Sequence, residues 1–316
     1  CTLLQGTMDF AKAMEEVRAV GQERVDAGKQ RLRFFKGRPV TPFISDERIE
    51  ELQSFKQEAG DVWIVTYPKS GTTWCQYVAF LLAGNEPNPN FAHLVPWLEM
   101  GKLFATPLDK LPAPNEGKVR LFKSHWWADL HMSHNGKAKF IYIMRNGLDV
   151  AVSFYHHTRA IRLYDYEGDL DHFFELFMNG DVDNGSWWEH CLGWWNRSKK
   201  ADDVLFLHYE DIKKDPAGQF RRIADFMGID ASDERIQEIV SLTTVQAMKD
   251  LAASVPNHKE RELSFRREGA AGHIRNGVVG EGRQVLSKEQ RSRFMAQCEA
   301  EFAGSDIPWR KYLPTD

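Results

Sequence analysis

Apolar positions along this chain fall into short, β-branched runs separated by stretches of helical period. Residues 61–67 (DVWIVTY), 119–125 (VRLFKSH), 139–145 (KFIYIMR) and 204–209 (VLFLHY) read as strands, because such runs bounded by turn residues suit a buried sheet. Helical spacing covers about 72–84, 147–158, 186–199, 215–227 and 287–302. Strands that alternate with helices predict βαβ units, a mainly parallel central sheet flanked by helices, and one α/β domain over 34–316. Ligands of such sheets sit beyond the carboxyl ends of the strands. Ahead of that domain, residues 8–34 have an amphipathic pattern with a basic end (Arg24, Lys29, Arg31, Arg33, Lys36, Arg38), so 1–33 is assigned as a helical extension. The polar stretch 255–284, with five glycines and five arginines, reads as a long mobile loop.

Composition narrows the classes. The 316 residues are 42% hydrophobic and 27% charged, enough for one large core. A net charge of −4 argues against a general nucleic-acid surface, which has to neutralise many phosphates. The longest clean apolar run, Val78 to Ala83, is too short to span a bilayer, and a cytoplasmic protein without a membrane partner is expected. Cys1, Cys75, Cys191 and Cys298 show no CxxC spacing, so neither a metal cluster nor a disulfide framework is expected. The opening Cys1 in place of a methionine is consistent with a processed chain or a domain of a longer one.

Packing does not explain the segment after the first strand. TYPKSGTTW (66–74) joins a strand end to a helix start, where unpaired N–H groups and the helix dipole favour an anion. Gly71 allows close backbone approach, Ser70, Thr72 and Thr73 add hydroxyls, and Lys69 adds charge. This is a phosphate cradle. It is not the nucleoside-triphosphate P-loop, whose lysine follows the last glycine, and that order speaks against a nucleotide kinase. Trp74 is either core or a platform for a purine ring.

TYPKSGTTW resembles the phosphosulfate-binding loop of the cytosolic sulfotransferases, which move sulfonate from 3′-phosphoadenosine 5′-phosphosulfate (PAPS) to hydroxyl or amine acceptors. The resemblance continues in family order through FFKGRP, LQSFKQ, VPWLEM, KSH, RNGLDVAVSFYH, FMNGDVDNGSWWEH, HYEDIKKDP and IRNGVVGEG. It implies a P-loop-like sulfotransferase fold, PAPS as co-substrate with PAP as product, and no metal. His125 matches the catalytic histidine, a residue suited to base work near neutral pH. Lys123 matches a lysine beside the sulfonate, and a spacing of two puts it on the same strand face as His125. Lys69 matches the donor to the bridging oxygen, with Ser153 as the serine that restrains it. Arg145 and Arg275 match the grip on the 3′-phosphate, alongside Asn276 and Gly277. Trp74, Tyr209, Thr243, Val245 and Met248 match the adenine contacts.

Trp97, Trp126, Trp127, Phe154, His157 and Tyr164 flank the substrate-side segments and form either the acceptor wall or ordinary packing. His156 and His157 have no third ligand at metal-site spacing. In IRNGVVGEG, Asn276, Glu281 and Gly282 stand where the family has lysine, aspartate and tryptophan, which removes one cation from the phosphate grip. RQVLSKEQRS (283–292) lacks the dimerisation motif of animal members, which leaves that dimer without support. The acceptor expected is a small-molecule alcohol or phenol. A variant within the family sulfonates a hydroxyl held on a carrier protein, and a non-catalytic nucleotide-binding protein is the reading from another class.

Overall fold

The computed structural model describes residues 32–41, 44–97, 99, 119–130, 138–255, 266–267 and 274–313. Most of the expected N-terminal helix, and positions 256–265 and 268–273 of the expected loop, lie outside these residues. The end of that helix differs from expectation. Arg33–Phe35 (β1) pairs antiparallel with Arg38–Val40 (β2) around Lys36 and Gly37, whose φ angles of 50° and 76° suit a two-residue hairpin turn.

Four strands carry the site: β3 (Asp61–Thr66), β4 (Arg120–Ser124), β5 (Lys139–Met144) and β6 (Val204–His208). They lie in the order β4-β3-β5-β6, and every pairing is parallel. All six residues of β3 are buried because both sheet faces are covered. Trp63, Val65, Phe122, Phe140 and Tyr142 share one core cluster with residues of Gly147–Ala160, Leu170–Asn179 and Trp187–Lys200. The alternate set, Val62, Ile64, Leu121, Ile141 and Ile143, shares the other with residues of Thr72–Leu82, Pro216–Met227 and Asp233–Leu242.

In chain order the helices of eight residues or more, among those described, are α1 (Asp46–Gln53), α2 (Thr72–Leu82), α3 (Gly147–Ala160), α4 (Leu170–Asn179), α5 (Trp187–Lys200), α6 (Pro216–Met227), α7 (Asp233–Leu242), α8 (Val245–Ala253) and α9 (Lys288–Glu301). Within the stretch expected to be loop, Glu281–Val285 forms a short helix.

Parallel register gathers the chemistry at one edge. Val65 pairs with Ser124 and with Tyr142, and Met144 pairs with His208, so the residues just past each strand emerge together. At the opposite edge Arg120 donates two hydrogen bonds to the fully buried Asp61 carboxylate, at 2.6 and 2.7 Å. Asp61→Ala leaves the guanidinium without its anion and is expected to cost about 3–5 kcal/mol. A urea titration reads this as a lower midpoint; an unchanged midpoint would refute the pair's role.

Candidate active site

The loop between β3 and α2 is held open for a ligand. Lys69 and Gly71 both adopt left-handed backbone, with φ of 69° and 99°. Gly71 is the N-cap of α2 and supplies no side-chain cap, so the first-turn N–H groups are left for an outside acceptor. A Cβ on Gly71 would sit 2.9 Å from the Tyr209 ring, so the absence of a side chain lets Tyr209 close the cradle. Beneath the loop, Ser70 is fully buried and its hydroxyl has no hydrogen-bond partner among the described residues. These features fit an anionic group seated on the loop. The loop opens on a cleft of about 250 Å³ whose lining includes Lys69, Gly71, Thr72, Thr73, Trp74 and Tyr209.

Facing the loop, His125 comes directly after β4. Its backbone N–H donates to Glu99 Oε1 at 2.8 Å, and the Ser124 hydroxyl donates to the same oxygen. His125 Nδ1 lies 2.8 Å from the Thr66 carbonyl. A carbonyl oxygen only accepts, so Nδ1 carries the proton and Nε2 keeps its lone pair. Burial, and then the neighbouring Lys123 charge, hold the imidazole well below its usual range, so it is neutral at neutral pH. The Trp97 ring meets it edge-on, with centroids 5.1 Å apart.

Cations surround the gap between base and loop. Lys123 Nζ sits 3.7 Å from the Trp97 ring centroid. Arg145 donates to the Lys69 carbonyl and to the Val278 carbonyl, each at 3.0 Å, and lies over the Tyr209 ring at 4.7 Å. Burial, reinforced by Arg266, Lys123, Arg145 and Arg275, lowers Lys69 to about 7. Burial also lowers Lys123 to about 8, against the opposing effect of Glu99 and Asp183. Glu281 holds Arg275 in a two-pronged ion pair, so the side chain that replaces the expected aspartate engages the arginine directly.

Most of the residues singled out in the sequence line this cleft, including Ser153, His157, Tyr164, Val245, Met248, Asn276 and Gly277. Lys69 meets a residue one helical turn from Ser153. Lys69 Nζ contacts His157 Nδ1 at 3.4 Å, and among the described residues it has no hydrogen bond to Ser153. Ser153 and His157 stand four apart on one face of α3, and the longer imidazole makes the contact.

Besides Ser70, four residues expected at the site are not among those lining the cleft. Trp126 packs into the core against Phe35, with ring centroids 6.0 Å apart, and Trp127 lies under the Arg38 guanidinium at 4.3 Å. Phe154 is one step round α3 from Ser153 and is buried between Tyr67 and Phe173. The Thr243 hydroxyl donates back to the Ile239 carbonyl at the end of α7, at 2.8 Å. Two acidic groups at the site, Glu99 and Asp183, carry no signal in the sequence that singles them out, and Glu281 stands out only as a departure from the family pattern. Glu99 lies in VPWLEM, Asp183 in FMNGDVDNGSWWEH and Glu281 in IRNGVVGEG, so their segments were visible although their orientation was not.

Fold and cleft together define an α/β protein with an anion cradle opposite a neutral imidazole. The family model described as Sulfotransferase domain matches residues 59–306, and the chain belongs to the PAPS-dependent sulfotransferase family. Bovine sulfotransferase 1A1 is 32% identical over 301 residues, covering 90% of this chain and 97% of that protein. The amine sulfotransferase of rabbit is 32% identical over 278 residues, covering 85% and 90%. Among solved structures, mouse sulfotransferase SULT7A1 complexed with PAP superposes with a TM-score of 0.75 at 29% identity, covering 89% of this chain and 98% of that one. Among the described residues no helix is long and apolar enough to cross a membrane, and no group of three His, Cys, Asp or Glu side chains is placed to hold a metal.

Proposed function

We propose that the protein sulfonates a hydroxyl of a small-molecule alcohol or phenol, with His125 as general base in an in-line transfer. The observation that carries this reading is the Nδ1–H donation to Thr66, which leaves His125 Nε2 as a free base across from the α2 N-terminus. PAPS supplies, when bound, an activated sulfonate on a phosphate leaving group. His125 Nε2 takes the acceptor proton as the acceptor oxygen forms its bond to sulfur and the sulfur–phosphate oxygen bond breaks. Lys69 and Lys123 set positive charge against the departing oxygen, and the N–H groups of α2 hold the same phosphate. Arg145 and Arg275 hold the 3′-phosphate; for Arg275 this means exchanging the Glu281 carboxylate for phosphate oxygens. Trp74, Tyr209, Val245 and Met248 enclose the adenine side.

The reaction is tested by incubating the protein with PAPS and an acceptor library and tracking products by mass. Acceptors gaining about 80 Da together with released PAP are expected, a mass set by the transferred sulfonate. Tight PAPS binding without PAP formation across the library would favour a non-catalytic nucleotide-binding protein.

The cations carry two more expected outcomes. Arg145→Ala is expected to weaken PAP binding by about 10- to 100-fold, the scale of charge-assisted hydrogen bonds, with turnover at saturating PAPS little changed. A loss confined to turnover would contradict the assignment. In the free protein Lys69 loses its proton as pH rises through about 7, and Lys123 as it rises through about 8. An anionic nucleotide favours both charged forms, so affinity falls as pH rises through that window and binding takes up protons there. Calorimetry in buffers of different ionisation enthalpy measures the uptake; its absence at pH 8 would show that neither lysine faces the nucleotide.

A further inference from the structure

Asp183 is a carboxylate in the cleft that the transfer chemistry leaves unused. It is 2% exposed and lines the same cleft as His125, Lys123, Trp97 and Tyr164. One oxygen accepts from the Tyr164 hydroxyl at 2.7 Å, and the other from the Asn184 amide at 2.9 Å. Among the described residues no lysine, arginine or histidine nitrogen forms an ion pair with it. A carboxylate offers about four acceptor sites, so room remains on both oxygens.

A buried carboxylate with no ion pair of its own is costly: burial pushes Asp183 up to about 7, against the opposing effect of the Tyr164 and Asn184 donors and of the Lys123 charge. Its position is tied to the reacting end of the cleft. The Tyr164 ring meets the His157 ring with centroids 6.0 Å apart, and His157 Nδ1 is 3.4 Å from Lys69 Nζ. Every other acid at the cleft already has a task. Glu99 accepts from the His125 N–H and the Ser124 hydroxyl, and Glu281 holds Arg275.

Among the residues lining the cleft, Asp183 is thus an acid with no ion pair of its own, set in the same lining as the aromatic rings of Trp97 and Tyr164. We infer that Asp183 selects the acceptor, receiving a protonated amine carried on the same molecule as the hydroxyl to be sulfonated, with an aromatic or apolar body against Trp97 and Tyr164. A cationic acceptor adds a directly bonded cation to the through-space charge of Lys123, whereas a neutral acceptor of equal shape leaves the carboxylate as costly as before. Tyr164 and Asn184 are positioning residues, since they fix the direction in which the free lone pairs point. The inference rests on the sulfotransferase reading of the cleft.

Binding separates the two readings without requiring turnover. Tyramine and its neutral isostere para-propylphenol are titrated into the wild-type protein and Asp183→Asn, each saturated with PAP, and the Kd of PAP is measured first for both proteins. In the wild type, tyramine is expected to bind at least about tenfold more tightly than para-propylphenol, the scale of one charge-assisted hydrogen bond. In Asp183→Asn that ratio falls to near one whatever the Kd of PAP, which is measured first because the Asp183 charge reaches Lys123. If PAP fails to bind either protein, the sulfotransferase reading fails, and the amine ratio is then read on the PAP-free proteins. The wild-type ratio decides the inference even if the variant does not fold. Equal or tighter binding of the neutral phenol by the wild type, binding of neither phenol, or a tyramine preference that survives Asp183→Asn overturns it.

Discussion

His125→Ala lowers the single-turnover rate of sulfonate transfer by about 10³-fold or more, while PAP binds within about threefold of the wild type. The size of the loss is that of a positioned general base. The division between rate and binding comes from placement. His125 is joined to β3 through the Thr66 carbonyl and to Glu99 through its own N–H, and neither bond belongs to the loop that would hold phosphate. His125→Gln keeps a side chain of similar reach without a basic nitrogen, so it is expected to be as slow as the alanine variant. A variant that loses nucleotide affinity in proportion to rate would show that the imidazole holds the nucleotide instead of serving as the base.

The second large effect is at Gly71, where Gly71→Ala is expected to weaken PAP binding by about 10²-fold. Two costs add: φ of 99° is a conformation that side chains rarely adopt, and the new Cβ meets Tyr209 Cδ2 at 2.9 Å. Tyr209 cannot easily retreat. It is buried, the Arg145 guanidinium lies over its ring at 4.7 Å, and its hydroxyl donates to the Gly277 carbonyl at 3.3 Å. Relief of the clash would therefore disturb both the phosphate cradle and the arginine beside it. Gly84→Ala is the control, since Gly84 has φ of 81° and open space around the added Cβ. It is expected to lower stability by about 1–2 kcal/mol with PAP affinity unchanged. Equal effects of the two substitutions on affinity would mean that the Tyr209 contact is irrelevant to the nucleotide.

The sheet was legible in the sequence because each strand is buried on both faces. A run such as DVWIVTY has no polar alternation to confuse it with a surface strand, and its neighbours repeat the pattern. The loop was legible for a different reason: Lys69, Gly71 and three hydroxyl residues at a strand–helix junction have no packing role that explains them together. What escaped were side-chain directions. Trp126 and Trp127 come directly after His125, yet the Trp126 ring joins the core cluster and the Trp127 ring is buried beneath the Arg38 guanidinium. Phe154 and Ser153 differ by one position, which on a helix is about a hundred degrees of rotation. Ser153 was expected to hold Lys69, and only the placed side chains show His157 in contact with it.

The buried acids were hidden by the same limitation. Glu99 and Asp183 look like surface residues in a string of letters, since acidic side chains are seldom buried without a partner. Glu99 is buried because a backbone N–H and a hydroxyl converge on it. Asp183 is buried on the Tyr164 hydroxyl and the Asn184 amide, with the Lys123 charge acting on it. The hairpin of β1 and β2 was masked by the basic residues of its two strands, which read as the end of a helix until Lys36 and Gly37 are seen to turn the chain.

In the proposed reaction the α2 N-terminus holds the phosphosulfate end of the nucleotide opposite a free His125 Nε2. A crystal structure of the protein with PAP tests it most directly. It is predicted to show the 5′-phosphate on the backbone N–H groups at 70–73, the 3′-phosphate at Arg145, and His125 still donating from Nδ1 to Thr66. A 5′-phosphate bound elsewhere, or an imidazole turned so that Nε2 meets the Thr66 carbonyl, would contradict it.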